Sequence, residues 1–199
     1  MSREYYEKNA KEYIDSTMSC DMSFQYEFFL KYIPKAHNTK ILDIGFGSGR
    51  DMLYFSSLGY EVEGLDPTLL FCNNMKEKGF NVFNIYSEDM DFVDNYDAIW
   101  ACASLLHVNK ENLNDVFKKC YRALKENGVM YCSFKYGDFE GIKNGRYFIY
   151  LNESSLHQIL DGTKFEIKEI SYTGDVRLDR ASEKWINVIL IKGELSYED

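Results

Sequence analysis

Three glycines at alternate positions, Gly45, Gly47 and Gly49, stand in the run ILDIGFGSGRD (Ile41 to Asp51), just after a short stretch of branched apolar residues. Without a Cβ the backbone can bend tightly and approach a ligand there, and a helix starting at that turn offers it unbonded N–H groups. About 20 residues further on, Asp66 ends the run YEVEGLD, at the point where a carboxylate can accept from ribose hydroxyls. Asp89, in YSEDMDF, follows a third apolar run and can accept from an adenine amino group, with Met90 against the ring. The plainer accounts are a tight turn for the glycines and a helix N-cap before Pro67 for Asp66. In this order and at these spacings, the set describes a pocket for a nucleoside-type ligand. The dinucleotide fingerprint G-x-G-x-x-G would need glycine at position 50, where the chain has Arg50. Roughly 40 residues also precede the strand, so NAD is disfavoured.

These residues need strands that end together at one sheet edge. Hydrophobic periodicity supplies two N-terminal helices, about 3–15 and 22–33, the second closed by Pro34. Strands follow at 40–45, 60–66, 80–85, 96–103 and 128–136, with helices at 51–59, 69–78 and 110–125 between them, which implies parallel pairing. Leu113, Val116, Phe117 and Cys120 form a helical stripe that reads as core. A Gly-containing loop and a short helix at 153–160 lead to strands 165–173 and 184–192. No helix can be placed between those two, so they form an antiparallel pair at one edge. The expected fold is α/β: a single doubly wound, Rossmann-like domain, with a seven-stranded mostly parallel sheet containing one antiparallel strand and an N-terminal helical lid. Residues 1–36 would form the helical cap and 37–199 the α/β core.

The 199 residues carry 32 Asp and Glu against 23 Lys and Arg, a net charge of −9, with 45% hydrophobic residues and 2 Pro. This suits a compact domain and excludes disordered and collagen-like chains. The acidic excess is spread along the chain, so nucleic acid is a disfavoured partner. No apolar run approaches the roughly 18–20 residues of a membrane span, and the charged start is unlike a signal peptide, so a cytoplasmic location is expected. The five cysteines, Cys20, Cys72, Cys102, Cys120 and Cys132, make no CxxC pair and read as buried thiols, with no metal site.

ILDIGFGSGRD resembles the glycine motif of the class I S-adenosylmethionine-dependent methyltransferases. EGLD resembles their ribose-binding acidic motif, SEDM their adenine-binding motif, and YDAIWACASLLHV with ALKENGVMYCSF their later strand motifs. The resemblance covers nearly the whole chain. GSGRD and the ending DVRLDRASEKWINVILIK resemble the small tellurite-resistance-type members. It implies an enzyme that binds S-adenosylmethionine, releases S-adenosylhomocysteine, uses no metal and methylates a small acceptor by in-line displacement. It also implies cofactor contacts at Pro67 and Ala101, and at Phe46 chiefly through its backbone; Phe46 departs from the Cys or small residue that many relatives carry there and would narrow the pocket without abolishing it. Tyr13 corresponds to N-terminal tyrosines that reach the cofactor's methionine end in relatives, or it packs in the lid. ACASLLHV stands where nucleobase N-methyltransferases carry Asn/Asp-Pro-Pro-aromatic, which argues against DNA adenine methylation.

The other candidates follow from position. His107, after the fourth strand, can serve as a general base or simply pack against the next helix. Arg50 can pair with the cofactor carboxylate or with Asp51. Arg146 and Tyr147, in NGRYF, fall where an acceptor loop would lie, and Arg146 can clamp an anion or remain an exposed loop residue. Two other functions stay open: a non-catalytic regulatory protein that binds the cofactor or its product, and an NAD-dependent oxidoreductase. The acceptor is open among a chalcogen oxyanion, a small metabolite and a tRNA base, and a monomer and a homodimer are equally compatible.

Overall fold

A computed structural model describes residues 2–35, 38–177 and 183–193. Two helices come first, α1 (Ser2–Thr17) and α2 (Ser23–Leu30). α1 kinks at Asn9 (φ −114°, ψ 18°), whose side-chain amide donates to the Tyr5 carbonyl at 2.7 Å and so competes with the helical bond. The chain then alternates through β1 (Lys40–Ile44), α3 (Arg50–Ser57), β2 (Glu61–Leu65), α4 (Leu69–Glu77), β3 (Asn81–Phe83) and β4 (Tyr96–Ala101). After a 3₁₀ turn at Leu105–His107 come α5 (Lys110–Ala123) and β5 (Leu124–Lys135). A hairpin, β6 (Glu140–Lys143) and β7 (Arg146–Ile149), precedes α6 (Glu153–Leu160), β8 (Phe165–Gly174) and β9 (Lys184–Lys192).

The main sheet has seven strands in the order β3-β2-β1-β4-β5-β9-β8. β1 to β5 pair in parallel, and β9 lies between β5 and β8, antiparallel to both. The short β8–β9 connection can only reverse the chain, so β9 becomes the single antiparallel strand. The fold is therefore the seven-stranded α/β arrangement expected, with an N-terminal helix laid over it. Alternation along the strands builds a core on each face: Val129 and Tyr131 of β5 pack with α2, α3 and α4, and Met130 and Cys132 with α5 and α6. The stripe Leu113, Val116, Phe117 and Cys120 is fully buried against the sheet. Asp51 ties the N-terminal helices to this frame, because its carboxylate accepts from Tyr26 Oη (2.6 Å), Trp100 Nε1 (2.9 Å) and Arg50 Nε (2.7 Å).

Three local expectations need correction. The loop expected after β5 contains the β6–β7 hairpin. Its turn is Asn144-Gly145, both at positive φ (51° and 74°), the residue pair a two-residue hairpin turn demands. β5 begins at Leu124, with Glu126-Asn127-Gly128 held as a bulge where register jumps between Tyr96 and Ala98. Among the cysteines, Cys72, Cys120 and Cys132 are buried, but Cys20 and Cys102 are only partly so. Part of the motif DVRLDRASEKWINVILIK, residues 178–182, lies outside the described residues. Among those described, no helix is long and apolar enough to cross a membrane.

Candidate functional site

Between β1 and α3 the chain turns with Gly45, Gly47 and Gly49 all at positive φ (70°, 53° and 79°). At Gly47 the turn requires glycine twice over, since a Cβ there would also lie 2.9 Å from Tyr13 Cε1 of α1. Asp66, just past β2, is 5% exposed and braces this turn: its Oδ2 accepts from the Gly47 N–H at 3.1 Å and its Oδ1 from the Thr68 N–H at 2.8 Å. Burial raises the Asp66 carboxyl to about 6 against the pull of those two N–H groups. The helix N-cap is Thr68, and the first N–H of α4, on Leu69, is taken by Glu7 Oε1 of α1 at 2.7 Å. The lid helix is thus bonded to the edge of the site.

A cavity of about 510 Å³ opens here, lined by Gly45, Gly47, Asp66, Pro67, Phe71, Ser87 and Glu88 together with Tyr13. A second cavity of about 110 Å³ adjoins it, and Tyr6, Tyr13, Gly45, Ala103 and His107 line both. Phe46 and Arg50 line the second cavity. The Phe46 ring is 5% exposed and packs toward Gly64, so it serves the core more than the opening. Arg50 pairs through two nitrogens with Asp51, at 2.7 and 3.0 Å, and its Nη1 donates to the Thr17 carbonyl.

Four expected residues line neither cavity: Gly49, Asp89, Met90 and Ala101. Gly49 faces Met75 of α4. Asp89 is exposed and Met90 is buried in the core beneath it. The chain forms a 3₁₀ turn at Ser87–Asp89, which points successive side chains about 120° apart and presents Ser87 and Glu88 to the cavity instead. Ala101 points into the α5 face, and the wall is made by Ala103 (φ 51°), Ser104 and Leu105 after it.

His107 sits in a chain of hydrogen bonds at the junction of the cavities. Its Nδ1 is 2.7 Å from the Tyr147 carbonyl, which can only accept, so Nδ1 carries the hydrogen and Nε2 accepts from Tyr6 Oη at 2.9 Å. Burial pushes the imidazole down to about 4, and nearby Arg146 and Lys135 push the same way. With three histidines in the chain, an NMR titration is expected to show His107 resonances stationary between pH 5.5 and 8. Movement centred near 6.5 would contradict its burial. Arg146, on β7, is 8% exposed, lines the smaller cavity and donates from Nη1 to Tyr6 Oη at 3.3 Å. Tyr147 lines the larger cavity, with its hydroxyl between the Lys110 N–H and Glu140. The sequence reading missed Tyr6. It lies seven residues before Tyr13, two turns along the same helix face, and their rings meet edge to face at 5.1 Å. Cys102 lines the smaller cavity with its thiol pushed up to about 12 by burial, which leaves it inert as a nucleophile.

Residues 41–128 match a family described as "Methyltransferase domain". Phosphoethanolamine N-methyltransferase of Plasmodium falciparum is 32% identical over 107 residues, covering 48% of this chain and 40% of that protein. The protein described as "Probable S-adenosyl-L-methionine-dependent methyltransferase TehB" of Haemophilus influenzae is 33% identical over 87 residues, 40% of this chain and 30% of its own length. The chain thus spans less than half the length of both relatives. Among solved structures, 1,6-didemethyltoxoflavin-N1-methyltransferase of Burkholderia thailandensis, with its namesake ligand and S-adenosylhomocysteine bound, superposes with a TM-score of 0.77 at 16% identity. That match covers 96% of this chain and 87% of the other, and it is a likeness of fold. Residues 41–128 thus match a methyltransferase domain, and they lie on a seven-stranded sheet whose fold is shared with that S-adenosylhomocysteine-bound structure.

Proposed function

We propose that this protein transfers the methyl group of S-adenosylmethionine to a small-molecule acceptor by in-line displacement and releases S-adenosylhomocysteine. The observation that carries this reading is the buried Asp66 carboxylate, held on the N–H of the glycine turn at the wall of the larger cavity. The donor set fits such a cofactor. Asp66 would accept from ribose hydroxyls, Glu88 from the base amino group, and the bare backbone at Gly45 and Gly47 would admit close approach. A volume of about 510 Å³ is of the size that encloses a cofactor-like molecule. The bound cofactor supplies an electrophilic methyl on a sulfonium, so the chain's own work is binding, alignment and exclusion of water.

α1 and the β6–β7 hairpin cover the junction of the cavities, where Tyr6, His107 and Arg146 meet. Neutral His107 is in its proton-accepting form across physiological pH. An acceptor that must lose a proton can give it to the Tyr6 oxygen while the Tyr6 proton passes to His107 Nε2. The small-molecule acceptor is supported by the small second cavity beside the first and by the names of the two methyltransferases above whose acceptors are small molecules.

Calorimetric titration with S-adenosylmethionine, S-adenosylhomocysteine and NAD tests this directly. The first two are expected to bind at micromolar strength, about −8 kcal/mol, and NAD at least 100-fold more weakly. Equal or tighter NAD binding would favour an oxidoreductase. Tight cofactor binding without turnover of any acceptor would favour a regulatory binding protein.

A further inference from the structure

The smaller cavity carries a charge pattern that the cofactor leaves unexplained. In a chain of net charge −9, its lining holds four cations, Arg50, Lys135, Arg146 and Arg177, against two carboxylates, Asp51 and Asp175. Three of the cations are neutralised locally: Arg50 by Asp51, Arg177 by Asp175 at 2.8 Å, and Lys135 by Glu183 at 2.5 Å. Arg146 is the exception. Among the described residues no carboxylate pairs with it, and its Nε is buried with no hydrogen-bond partner. Leaving a guanidinium donor unmet in a buried position is costly, so a ligand acceptor that completes it would bind with that cost relieved.

The surroundings also constrain the ligand. The Arg146 guanidinium carbon lies 4.4 Å from the Tyr5 ring centre, 5.1 Å from Phe148 and 5.8 Å from Tyr6, so apolar rings pack around the cation and hold it in place. The donor left unmet is Nε, and together with a terminal N–H of the same planar guanidinium it matches a planar carboxylate through two parallel hydrogen bonds. One unpaired cation balances one negative charge, which favours a carboxylate over a phosphate dianion. The volume, about 110 Å³, is smaller than the roughly 150 Å³ of an apolar cavity that takes one benzene.

We propose that the smaller cavity is the acceptor site and that it takes a compact carboxylic acid, its carboxylate held by Arg146. The remainder of the acid then lies beside Tyr6 and His107, the residues shared with the larger cavity. This rests on the methyl-transfer reading above, but its binding test does not require turnover.

The test uses the full chain saturated with S-adenosylhomocysteine, with propionate, propionamide and inorganic phosphate as probes followed by ligand-observed NMR. The proteins are the parent, Arg146→Gln, Arg146→Lys and Lys143→Gln, the last removing a cation from the same hairpin outside the cavity. Propionate is expected to bind the parent and Lys143→Gln alike, to weaken at least tenfold in both Arg146 variants, and to bind far better than propionamide or phosphate. Arg146→Lys keeps the charge but not the fork, so it tests the geometry even if Arg146→Gln folds poorly. Phosphate binding as strong as propionate would overturn the assignment of a carboxylate. A tenfold loss of S-adenosylhomocysteine affinity in Arg146→Gln, with 5′-methylthioadenosine unaffected, would show that Arg146 holds the cofactor's own carboxylate and would overturn the acceptor site. If the parent fails to bind S-adenosylhomocysteine, the methyl-transfer reading fails. The propionate arm, repeated on ligand-free protein, would still decide the role of Arg146.

Discussion

Gly49→Ala is expected to lower the melting temperature by about 4–20 °C, roughly 1.5 to 4 times the loss from Gly162→Ala. Both glycines have positive φ, 79° and 70°, so alanine pays a similar backbone cost at each, about 1–2 kcal/mol. They differ in what the new methyl meets. At Gly162 nothing lies within 4 Å, whereas at Gly49 the Cβ would fall 2.1 Å from Met75 Sδ and 2.7 Å from Met75 Cε. Met75 is fully buried on α4 and has no route to solvent, so the collision becomes overpacking, about 1–3 kcal/mol more. Scanning calorimetry of the two variants reads the difference, and equal losses would show that the α3–α4 contact yields freely. Because Gly49 lines neither cavity, the folded variant should keep its affinity for S-adenosylhomocysteine within about threefold.

Asp66→Asn is expected to weaken S-adenosylhomocysteine binding by about 10–100-fold, the cost of losing a charged acceptor. The parent should also lose affinity as pH falls through about 6, because protonation of Asp66 removes the same acceptor, and the variant should not. Stability responds in the opposite direction. The folded carboxyl titrates near 6 and the unfolded one near 3.8, so between those values the unfolded chain releases its proton first, and the parent becomes less stable as pH rises. Above about 6 the change is complete. Relative to the parent, Asp66→Asn should therefore gain about 2–4 kcal/mol between pH 3 and pH 8. Chemical denaturation at the two pH values, with calorimetric binding across pH 5–8, checks both halves. A variant that lost affinity with no relative gain in stability would show that Asp66 is not strained by burial.

Much of the frame was legible along the chain because it is written in local signals. Alternating apolar runs and glycine stops marked the strands and helices, and the short β8–β9 connection implied the antiparallel strand. The spacing from the glycine turn to Asp66 joined two consecutive strand ends into one site, and the structure closes that join with a single hydrogen bond between Asp66 and the Gly47 N–H. The hairpin at 140–149 was legible too, through Asn144-Gly145, but its polar neighbours obscured it as a loop.

The sequence by itself determined the fold class, the strand-to-helix glycine turn and the acidic residue that braces it, because each depends on backbone geometry and on residues only a turn or a strand apart. It did not determine which of two adjacent acidic side chains faces the cavity, since a 3₁₀ turn at Ser87–Asp89 rotates Glu88 inward and Asp89 out. Nor did it determine that Arg50 is spent on Asp51 while Arg146 is left without a carboxylate among the described residues. The meeting of Tyr6 with His107 and Arg146, 101 and 140 residues away, also lay beyond it. Those outcomes belong to the tertiary structure because charge pairing and proton-accepting capacity are set by what burial brings within about 3 Å, and no periodicity along a chain encodes that distance.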